Sequence, residues 1–279
     1  MYHYKSLQDV SYNEIAKCLN LAFSDYYLPI HLTEKELKTH FEMSGVDKEL
    51  SYGAFLDNEM VGFIFNSCNT YNEQKAVFDV GTGVIPNHRG NGVFANLFKC
   101  TEQELKKHQI EKYYLEVLQQ NERAITSYKK QGFTVTREFS ILMSSNYNKE
   151  TADAKVEYKD FEEFDFNKIR NCIYVQPSYE HSTNILKINP IVYSVAYKQE
   201  NNNISAFCIF SKKDGRILQL GYTDIRELKL IIQHLLLGFN SIIVKNIDVA
   251  YSHVIEMFDS IGFHEVGKQF EMVKDICLG

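Results

Sequence analysis

The sequence predicts a mixed α/β protein in which two helices precede a β-hairpin and a strand–turn–helix unit follows. Two observations lead to this prediction: helix-start signals near the N-terminus, and strand-like segments that alternate with turns over residues 51–85. A third is the stretch VIPNHRGNGVFANLF at residues 84–98, where two glycines separate a strand end from an apolar pattern with helical spacing.

Length, composition and charge limit the possible classes of protein. A chain of 279 residues is long enough for one large domain or two ordinary ones, and its 44% hydrophobic residues can form a core. The net charge of −6 argues against a general affinity for nucleic acids or anionic membranes. The sequence lacks an apolar segment as long as a membrane span and a secretion-signal pattern, so we expect a cytoplasmic protein.

The cysteines and histidines are dispersed along the chain. The six cysteines include no C-x-x-C, and the nine histidines do not stand at metal-ligand spacing from them. We therefore interpret the cysteines as reduced thiols, and we expect no metal site.

Two N-terminal helices are predicted from their start signals. Ser11 and Thr33 each begin an S/T-x-x-E capping pattern that is followed by apolar residues at helical spacing. The second helix should end near Gly45. The side chains that we expect these helices to bury are Ile15, Leu19, Ala22, Phe23, Leu37 and Phe41.

A hairpin and a third strand follow the helices. Segments 51–56 and 60–65 flank a polar turn centred on Asn58, which is the pattern of a β-hairpin. The next strand-like segment, AVFDVGTGVI, contains two glycines, and isolated glycines in a strand often mark a bulge or a close backbone approach.

The glycine turn that follows this strand predicts an anion site. Apolar residues recur at helical spacing from Gly90 to about Lys107, so the turn opens a helix, whose first N–H groups lack internal partners and lie at its positive end. Gly90 and Gly92 would let a phosphate approach the backbone, and Arg89 would add a positive charge. A tight turn without a ligand is the structural alternative.

Two other phosphate-binding motifs can be tested on the same stretch. Gly90, Gly92 and Ala95 fit the G-x-G-x-x-A dinucleotide fingerprint, with Glu116 as its acidic residue. That fingerprint belongs at the first strand of its domain, however, and here a long segment with its own helices comes first, so we disfavour a dinucleotide site. A Walker A loop is excluded because the Gly-Lys-Ser/Thr sequence does not follow.

The block after this helix carries a family resemblance. Residues 112–133 predict a strand, an asparagine at a helix start and a helix that ends at Gly132. Together with P-x-x-R-G-x-G, the pattern L-x-V…N-x-x-A-x-x-x-Y-x-x-x-G-F resembles the Gcn5-related N-acetyltransferase (GNAT) family over about residues 1–145. The resemblance implies the acyl-CoA N-acyltransferase fold and transfer of an acetyl group from acetyl-CoA to a primary amine.

The resemblance also implies cofactor-binding residues. The fourth strand would part from the fifth, with the pantetheine arm of acetyl-CoA paired to the backbone of Val84 and Ile85 and the pyrophosphate on the amides of residues 89–93. Phe94 replaces a small residue of the family, so we expect altered packing there. Asn121 would either bind the cofactor or only cap the last helix. The full set is Val84, Ile85, Arg89, Gly90, Asn91, Gly92, Val93, Phe94 and Asn121.

Three residues are candidates for the chemistry. Tyr128 matches the general acid of the family, and a phenol with an ordinary pKa of about 10 can donate a proton to a thiolate. Glu116, twelve residues before Tyr128, has the spacing of the glutamate base in the ribosomal-protein alanine acetyltransferases of the family. Asp79 is the second candidate base, and either carboxylate could act through water.

The second half of the chain shows weak sequence similarity to the first. Residues 127–143 line up with residues 257–273 at an offset of 130, and a polar stretch at residues 144–160 is the best candidate for a linker. We infer a second copy of the fold. At this offset Phe258 replaces Tyr128 and Tyr251 replaces Asn121, so the copy has lost its chemistry.

We therefore predict a two-domain N-acetyltransferase, with a catalytic domain at residues 1–148 and a degenerate, structural or substrate-shaping domain at residues 149–279. The alternative is a non-catalytic acetyl-CoA-binding sensor or interaction module, which would not require Tyr128. We expect a small-molecule amine or a protein amino group as acceptor, and neither nucleic acid nor membrane as a partner. The sequence leaves the identity of the acceptor and the oligomeric state open.

Overall fold

The structure is a computed structural model that describes residues 1–25, 30–144, 155–200 and 203–276, with the backbone alone at Glu200. Contacts divide the chain into two compact units. The first unit comprises Met1–Glu116, Arg123–Thr134 and Met272–Gly279, and the second comprises Val117–Glu122 and Val135–Glu271.

These units are not two contiguous halves. The C-terminal residues from Met272 onward belong to the first unit, whereas the chain that follows Thr134 belongs to the second. The predicted division into residues 1–148 and 149–279 stays a prediction. The predicted boundary itself, and most of the predicted linker at 144–160, lie at residues 145–154, outside the described residues.

The first unit has the predicted order of elements. They are β1 (His3–Ser6), α1 (Tyr12–Ala22), α2 (Glu34–Ser44), β2 (Val46–Leu56), β3 (Glu59–Tyr71), β4 (Gln74–Val84), α3 (Val93–Lys107), β5 (Lys112–Leu118) and α4 (Glu122–Lys130). The strands lie in the order β1-β2-β3-β4-β5, antiparallel except for the parallel pair β4–β5. The end of the last strand, β13 (Phe263–Asp275), lies beside β5.

The helix starts and the hairpin are confirmed. The Ser11 side chain caps α1, Thr33 and Glu36 form a reciprocal capping box on α2, and Gly45 ends α2 with a φ of 64°. The hairpin between β2 and β3 turns at Asp57 and Asn58, which both have positive φ, as a two-residue hairpin turn requires.

The apolar faces of α1 and α2 cover the sheet of the first unit. They form one buried cluster with side chains of β2 and β3, in which the Phe63 and Phe65 rings stack at a centroid distance of 4.2 Å. The residues predicted to be buried in α1 and α2 are confirmed, except that Phe23 is half-buried beyond the end of α1. This packing holds β3 and β4 in place next to the glycine turn.

The second unit begins with β6 (Thr134–Ser144) and contains most of β13. Its other elements are β7 (Glu157–Asp160), β8 (Ile173–Val175), α5 (Thr183–Leu186), β9 (Tyr193–Glu200), β10 (Asn203–Ser211), β11 (Ile217–Tyr222), α6 (Ile225–Gly238), β12 (Ile243–Asp248) and α7 (Ser252–Asp259). Its strands lie in the order β13-β6-β12-β11-β10-β9-β7, and β8 pairs with β11. The run from β9 to α7 repeats the order of elements from β2 to α4 in the first unit.

Three further features concern the described residues as a whole. Among them, no helix is long and apolar enough to cross a membrane. Histidine, cysteine and acidic side chains do not gather in the described ranges into a group of three or more that could hold a metal ion. The cysteines at 18, 68, 100, 172 and 208 are free thiols, and Cys277 lies outside the described residues.

Candidate active site

The glycine turn at the start of α3 presents bare backbone to solvent. Gly90 and Gly92 have φ values of +79° and +72°, a left-handed conformation that glycine adopts without strain. Gly92 occupies the N-cap position of the 15-residue helix α3, and no side chain caps its first N–H groups. Gly90, Asn91 and Gly92 are all exposed. The turn therefore has the features of an anion site at a helix N-terminus.

Arg89 does not extend toward this turn as a free positive charge. Its guanidinium donates two hydrogen bonds to the Asp25 carboxylate, at 2.6 and 2.9 Å. It also donates to the carbonyls of Ala22 and Val84, at 2.7 and 2.8 Å. Arg89 thus ties the end of α1 to the end of β4 and so positions the turn, and its predicted contact with the pyrophosphate stays a prediction.

The parallel strands β4 and β5 part before the turn. Their pairing joins Ala76, Val77 and Phe78 of β4 to residues 112–114 of β5, and from Asp79 onward β4 has no described strand on that edge. The register of β4 with β3 shifts at the same place, which leaves Val80 as an extra residue. The bulge predicted from the glycines of this strand is thus confirmed, and an open strand edge follows it.

Val84 and Ile85 differ in the edge that their backbones face. The Ile85 N–H donates to the Val61 carbonyl at 2.9 Å, so Ile85 belongs to the ladder with β3. Successive residues of an antiparallel strand alternate between paired and outward-facing backbone groups. Val84 therefore faces the open edge, where its carbonyl accepts from Arg89, whereas the Ile85 N–H faces β3. The pairing of pantetheine with the backbone of Val84 and Ile85 stays a prediction.

Tyr128 and Asp79 meet at the point where the two strands part. The Tyr128 hydroxyl donates to Oδ2 of Asp79 at 3.0 Å, and the Thr82 hydroxyl donates to the same oxygen at 2.6 Å. Oδ1 of Asp79 is buried and has no hydrogen-bond partner among the described residues. Burial raises the pKa of Asp79 to about 6, although hydrogen bonds from Thr82, Tyr128 and the Gly81 backbone oppose this rise.

Aromatic rings hold Tyr128 in this position. Phe94 and Phe133 contact its ring edge-on or near edge-on, at centroid distances of 5.6 and 5.7 Å. Phe133 in turn packs against Phe98 and Tyr113. The altered packing expected at Phe94 thus takes the form of a direct contact with the candidate acid, while the main chain of Phe94 remains in the first turn of α3.

The remaining predicted residues lie close to this arrangement in the chain. Val93 is buried at the first position of α3. Glu116 is half-buried in β5, two residues beyond Tyr114, where the pairing with β4 ends. Asn121 directly precedes α4, and its N–H donates to the Leu118 carbonyl at 2.9 Å, so both of its predicted roles stay open. The candidate base Asp79 accepts a hydrogen bond from Tyr128.

Thr82 is a site residue that the sequence did not single out. It lies between the two glycines of GTG, three residues after Asp79, and the bulge between them turns its hydroxyl onto the carboxylate. A hydroxyl three residues after a candidate base is a weak signal, because its direction depends on the bulge.

Strand register identifies the counterparts of these residues in the second unit. Phe63 lies opposite Gly83 in β3–β4, and Phe207 lies opposite Gly221 in β10–β11, with the extra residue three positions before each glycine. A Cβ on either glycine would lie 2.6 or 2.5 Å from the facing ring. By this register Asp79 corresponds to Ile217 and Thr82 corresponds to Leu220, and Tyr128 corresponds to the buried Phe258. All three polar groups of the site are therefore replaced by apolar ones.

Known structures share the fold of the whole chain. A GCN5-related N-acetyltransferase from Sphaerobacter thermophilus is 14% identical, with a TM-score of 0.71 over 99% of this chain and 96% of that one. One from Anabaena variabilis is 11% identical, with a TM-score of 0.64 over 100% and 74%. A tandem GNAT protein from the clavulanic acid biosynthesis pathway is 10% identical, with a TM-score of 0.61 over 99% of both chains.

At these identities the likeness establishes a GNAT fold. The curated proteins that we searched include no match. A model of the acetyltransferase (GNAT) family, however, matches residues 15–133, a range that contains the glycine turn, Asp79 and Tyr128. This family model therefore matches the part of the chain that carries the candidate site, and the chain has a GNAT fold.

Proposed function

We propose that the protein transfers an acetyl group from acetyl-CoA to a primary amine. The observation that carries this proposal is the hydrogen bond between Tyr128 and Asp79, at the place where β4 and β5 part and near the exposed glycine turn. The site thus combines an anion-binding helix end, an open strand edge and a linked pair of proton-handling groups.

The turn and the open edge fit the two ends of the acetyl-CoA arm. The exposed amides of Gly90, Asn91 and Gly92, with those of Val93 and Phe94, would hold the pyrophosphate. The backbone of Val84 would pair with the pantetheine amides on the open edge of β4. A Cβ on Gly90 would have no neighbour within 4 Å, so this cradle has room for a bulky anion.

The two side chains suit the proton transfers that amide formation needs. Acetyl-CoA supplies an acetyl thioester, whose reaction with an amine releases one proton from the amine and leaves a thiolate. Asp79 can take the proton of the amine on a carboxylate oxygen, directly or through a water, because burial brings its pKa to about 6. Tyr128 can donate its hydroxyl proton to the thiolate and lies within hydrogen-bond distance of Asp79 for recovery of a proton.

The hydrogen bond between Tyr128 and Asp79 favours acetyl transfer over the alternative of a module that only binds acetyl-CoA. A module that only binds acetyl-CoA needs the turn and the strand edge, but it does not need a buried carboxylate joined to a tyrosine. Glu116 stays an alternative base within the same proposal, since it also lies on β5 beyond the split. The second unit, which repeats the order of elements without Asp79, Thr82 or Tyr128, is proposed to be a degenerate copy with a structural or substrate-shaping role.

The acceptor is proposed to be a small-molecule amine or a protein amino group, and a cytoplasmic location rests on the sequence alone. We would incubate the full chain with labelled acetyl-CoA and a panel of polyamines, aminoglycosides, amino acids and peptides. Label should be transferred to at least one amine class, and an Asp79→Asn/Tyr128→Phe double variant should lose most of this activity. Tight binding of acetyl-CoA without transfer to any amine would favour the non-catalytic module.

A further inference from the structure

Thr82 has a contact that points to a part in the chemistry. Its hydroxyl and that of Tyr128 both donate to Oδ2 of Asp79, so this oxygen has two side-chain donors, and the Gly81 backbone gives the carboxylate a further hydrogen bond. The buried Oδ1 has no partner among the described residues. A carboxylate anchored through one oxygen cannot rotate freely, and its second oxygen keeps a fixed direction.

The second unit shows what replaces this arrangement where the polar groups are lost together. Leu220 stands at the place of Thr82, Ile217 at that of Asp79 and Phe258 at that of Tyr128. If Thr82 served only to stabilise the bulge, a threonine could have been kept in the second unit even though Asp79 is replaced there by an apolar residue. The joint replacement indicates that the three side chains act as one group.

We propose that Thr82 is a positioning residue, which anchors Oδ2 of Asp79 so that Oδ1 stays available to take the proton of the amine. This inference rests on the proposed function. The titratable group that shifts the pKa of Asp79 from a neighbouring element is Tyr128 of α4. Tyr113 of β5 also lies near enough for the Asp79 charge to raise its pKa. Burial raises the pKa of Tyr113 well above its usual value, so Tyr113 remains neutral while Asp79 titrates.

The test compares Thr82→Val, which keeps the shape, with Thr82→Ser, which keeps the donor. The pKa of Asp79 would be read directly from its carboxyl carbon resonance, assigned with Asp79→Asn, and kcat would be followed from about pH 5.5 to about pH 8.5. We expect Thr82→Val to raise the pKa of Asp79 and to lower kcat most at the acidic end, and Thr82→Ser to restore both.

An unchanged Asp79 resonance in Thr82→Val would overturn the positioning role, even if the variant were less stable. A shifted resonance without amine transfer in the parent protein would contradict the proposed function and leave the anchoring contact intact. The two failures are therefore distinguishable.

A second inference comes from the edge of β11. β10 occupies one edge of β11 through Tyr222, so any other partner must use the opposite edge. On that edge β12 pairs with β11 at Ile217 alone, and β8 then pairs antiparallel with residues 220–222. β8 therefore occupies the space that opens where β11 and β12 part.

The corresponding edge in the first unit is open. By the register given above, residues 220–222 correspond to Thr82, Gly83 and Val84, which have no described strand partner on the edge toward β5. The Ile173 carbonyl comes so near Gly221 that a Cβ there would lie 3.1 Å from it. In the second unit a backbone thus lies where we propose that pantetheine lies in the first.

Buried polar groups hold the segment that continues β8. Arg137 donates to the carbonyls of Gln176 and Pro177 at 3.2 and 3.4 Å, and Glu271, 4% exposed, binds the same guanidinium at 3.0 and 2.5 Å. Asn246 donates to the Ser178 hydroxyl at 3.0 Å. These contacts are satisfied within the second unit, so side chains of that unit hold the segment in place.

The neighbouring segment is held in the same way. Gln219, 2% exposed, donates to the His181 carbonyl at 2.5 Å and accepts from the Tyr174 hydroxyl at 2.5 Å. By register Gln219 stands at the place of Gly81, so a side chain that binds the inserted segment replaces a glycine of the first unit.

In the second unit, a side chain caps the helix N-terminus that corresponds to the proposed phosphate-binding end of α3. α6 starts at Asp224, whose side chain accepts from the Arg226 N–H at 2.9 Å and carries an ion pair with the Arg226 guanidinium. A carboxylate already binds the Arg226 N–H in the first turn here, and its negative charge disfavours a second anion. In α3 the same position is Gly92.

We propose that residues 173–178 permanently occupy the second unit's counterpart of the acyl-CoA slot, so that each chain binds one acyl-CoA. This inference also rests on the proposed function of the first unit. It means that the chain itself fills, in the second unit, the position where we propose that the first unit binds a ligand.

Two measurements on the full chain test this proposal. Native mass spectrometry with acetyl-CoA, and separately with CoA, should give one ligand per chain. Amide exchange should show residues 217–222 protected in the free protein and unchanged by acetyl-CoA, whereas residues 79–84 and 90–94 should gain protection. Exchange of residues 220–222 at the rate of an open loop, or protection of 217–222 by acetyl-CoA, would overturn the proposal.

A paired variant loosens the segment by removing Arg137 together with Glu271, the nearer of its acidic partners. Asp248, 3.9 Å from Arg137, keeps its hydrogen bond from the Ala250 N–H. Arg137→Met with Glu271→Leu should speed exchange at residues 173–178 and 220–222, and the stoichiometry should stay at one because Asp224 still caps α6. Two ligands per chain in the parent would refute the proposal. Absence of binding in both units, with 220–222 still protected, would support the internal strand and contradict the proposed function instead.

Discussion

The Tyr128 hydroxyl donates a hydrogen bond to Oδ2 of Asp79 across 3.0 Å, although 49 residues separate the two side chains in the sequence. The bond joins the candidate general acid to a candidate base within the first unit. Because a hydrogen bond links the two groups, a substitution of either residue should change the pKa of the other and so alter the pH dependence of the rate.

Tyr128→Phe should lower kcat by at least tenfold, within the roughly 10²–10⁴-fold range typical of acid–base groups, while the Kd of acetyl-CoA stays nearly unchanged. The ring keeps its contacts with Phe94 and Phe133, but the proton donor is lost. The hydroxyl also lowers the pKa of Asp79, so the acidic limb of the rate profile should move to higher pH.

The matched control for this variant is Tyr113→Phe. It removes another buried hydroxyl, which donates to Asn66 at 2.5 Å. We expect this control to cost stability and to leave kcat close to the parent value. Parental kcat in Tyr128→Phe, in a step shown to be limited by chemistry, would remove Tyr128 from the mechanism.

Asp79→Asn should abolish the acidic limb of the rate profile near pH 6 and lower kcat at neutral pH, because the amide cannot take a proton. Glu116→Gln is the comparison that separates the two candidate bases. If Glu116 is the base, its variant should lose activity while Asp79→Asn retains most of it.

The stability of Asp79→Asn should depend on pH in a defined direction. The folded carboxyl has a pKa of about 6 against an ordinary value of 3.8, so the folded state binds this proton more tightly than the unfolded state does. The parent therefore loses stability as the pH rises from about 4 to about 6. Relative to the parent, the variant should gain up to roughly 3 kcal/mol in free energy of unfolding across this interval, as measured by urea unfolding at both ends.

Substitutions at Gly92 should separate blockage of the anion site from backbone strain. Gly92→Asn adds a side chain that tolerates positive φ, so it should weaken CoA binding with little change in Tm. Gly92→Val adds backbone strain as well, so it should weaken CoA binding and also lower Tm. Gly238→Ala, in a position with no neighbour within 4 Å of the added Cβ, is the control and should leave the Kd unchanged. An unchanged Kd in Gly92→Asn would mean that the turn is structural.

Arg89→Ala and Asp25→Ala should weaken CoA binding to a similar degree, and the double variant should be little worse than either. This follows if Arg89 acts by tying α1 to the turn through Asp25. If the guanidinium bound pyrophosphate directly, loss of Asp25 would free it, and Asp25→Ala would bind CoA as well as the parent or better. Calorimetry with CoA on the three variants distinguishes these outcomes.

Truncation after Glu271 should destabilise the first unit, although the residues removed are the last in the chain. Met272 and Ile276 are buried, the Ile276 N–H donates to the Glu111 carbonyl at 2.9 Å, and Lys274 contacts Glu102 at 3.0 Å. Each buried apolar side chain is worth about 1.5–3 kcal/mol. A lower Tm with faster amide exchange in β5 is expected, and Val266→Ala, at an exposed site on the same strand, should have neither effect.

Local signals in the sequence determined the elements that surround the site. Ser11, Thr33 and Gly45 mark helix ends through contacts within a few residues, and the structure places caps at all three. The glycine turn was predictable for the same reason, since Gly90 and Gly92 adopt conformations that other residues disfavour. Such features need no knowledge of the rest of the fold, because the interacting groups are neighbours in the chain.

The tertiary structure decided which polar groups meet. Arg89 could not be assigned from the sequence to Asp25, nor could Tyr128 be assigned to Asp79 in preference to Glu116, because these contacts depend on how separate elements pack. Thr82 joins the pair through a bulge whose direction is set by the register of β4 against β3.

The division of the chain into compact units also came from long-range pairing. An internal repeat was visible at an offset of 130 residues, and by itself it suggested two consecutive domains. Strand pairing instead places the residues from Met272 with the first unit and inserts β8 beside β11. A strand edge accepts any backbone of suitable direction and reach, so its partner is selected by the folded chain and not by the residues of the edge itself.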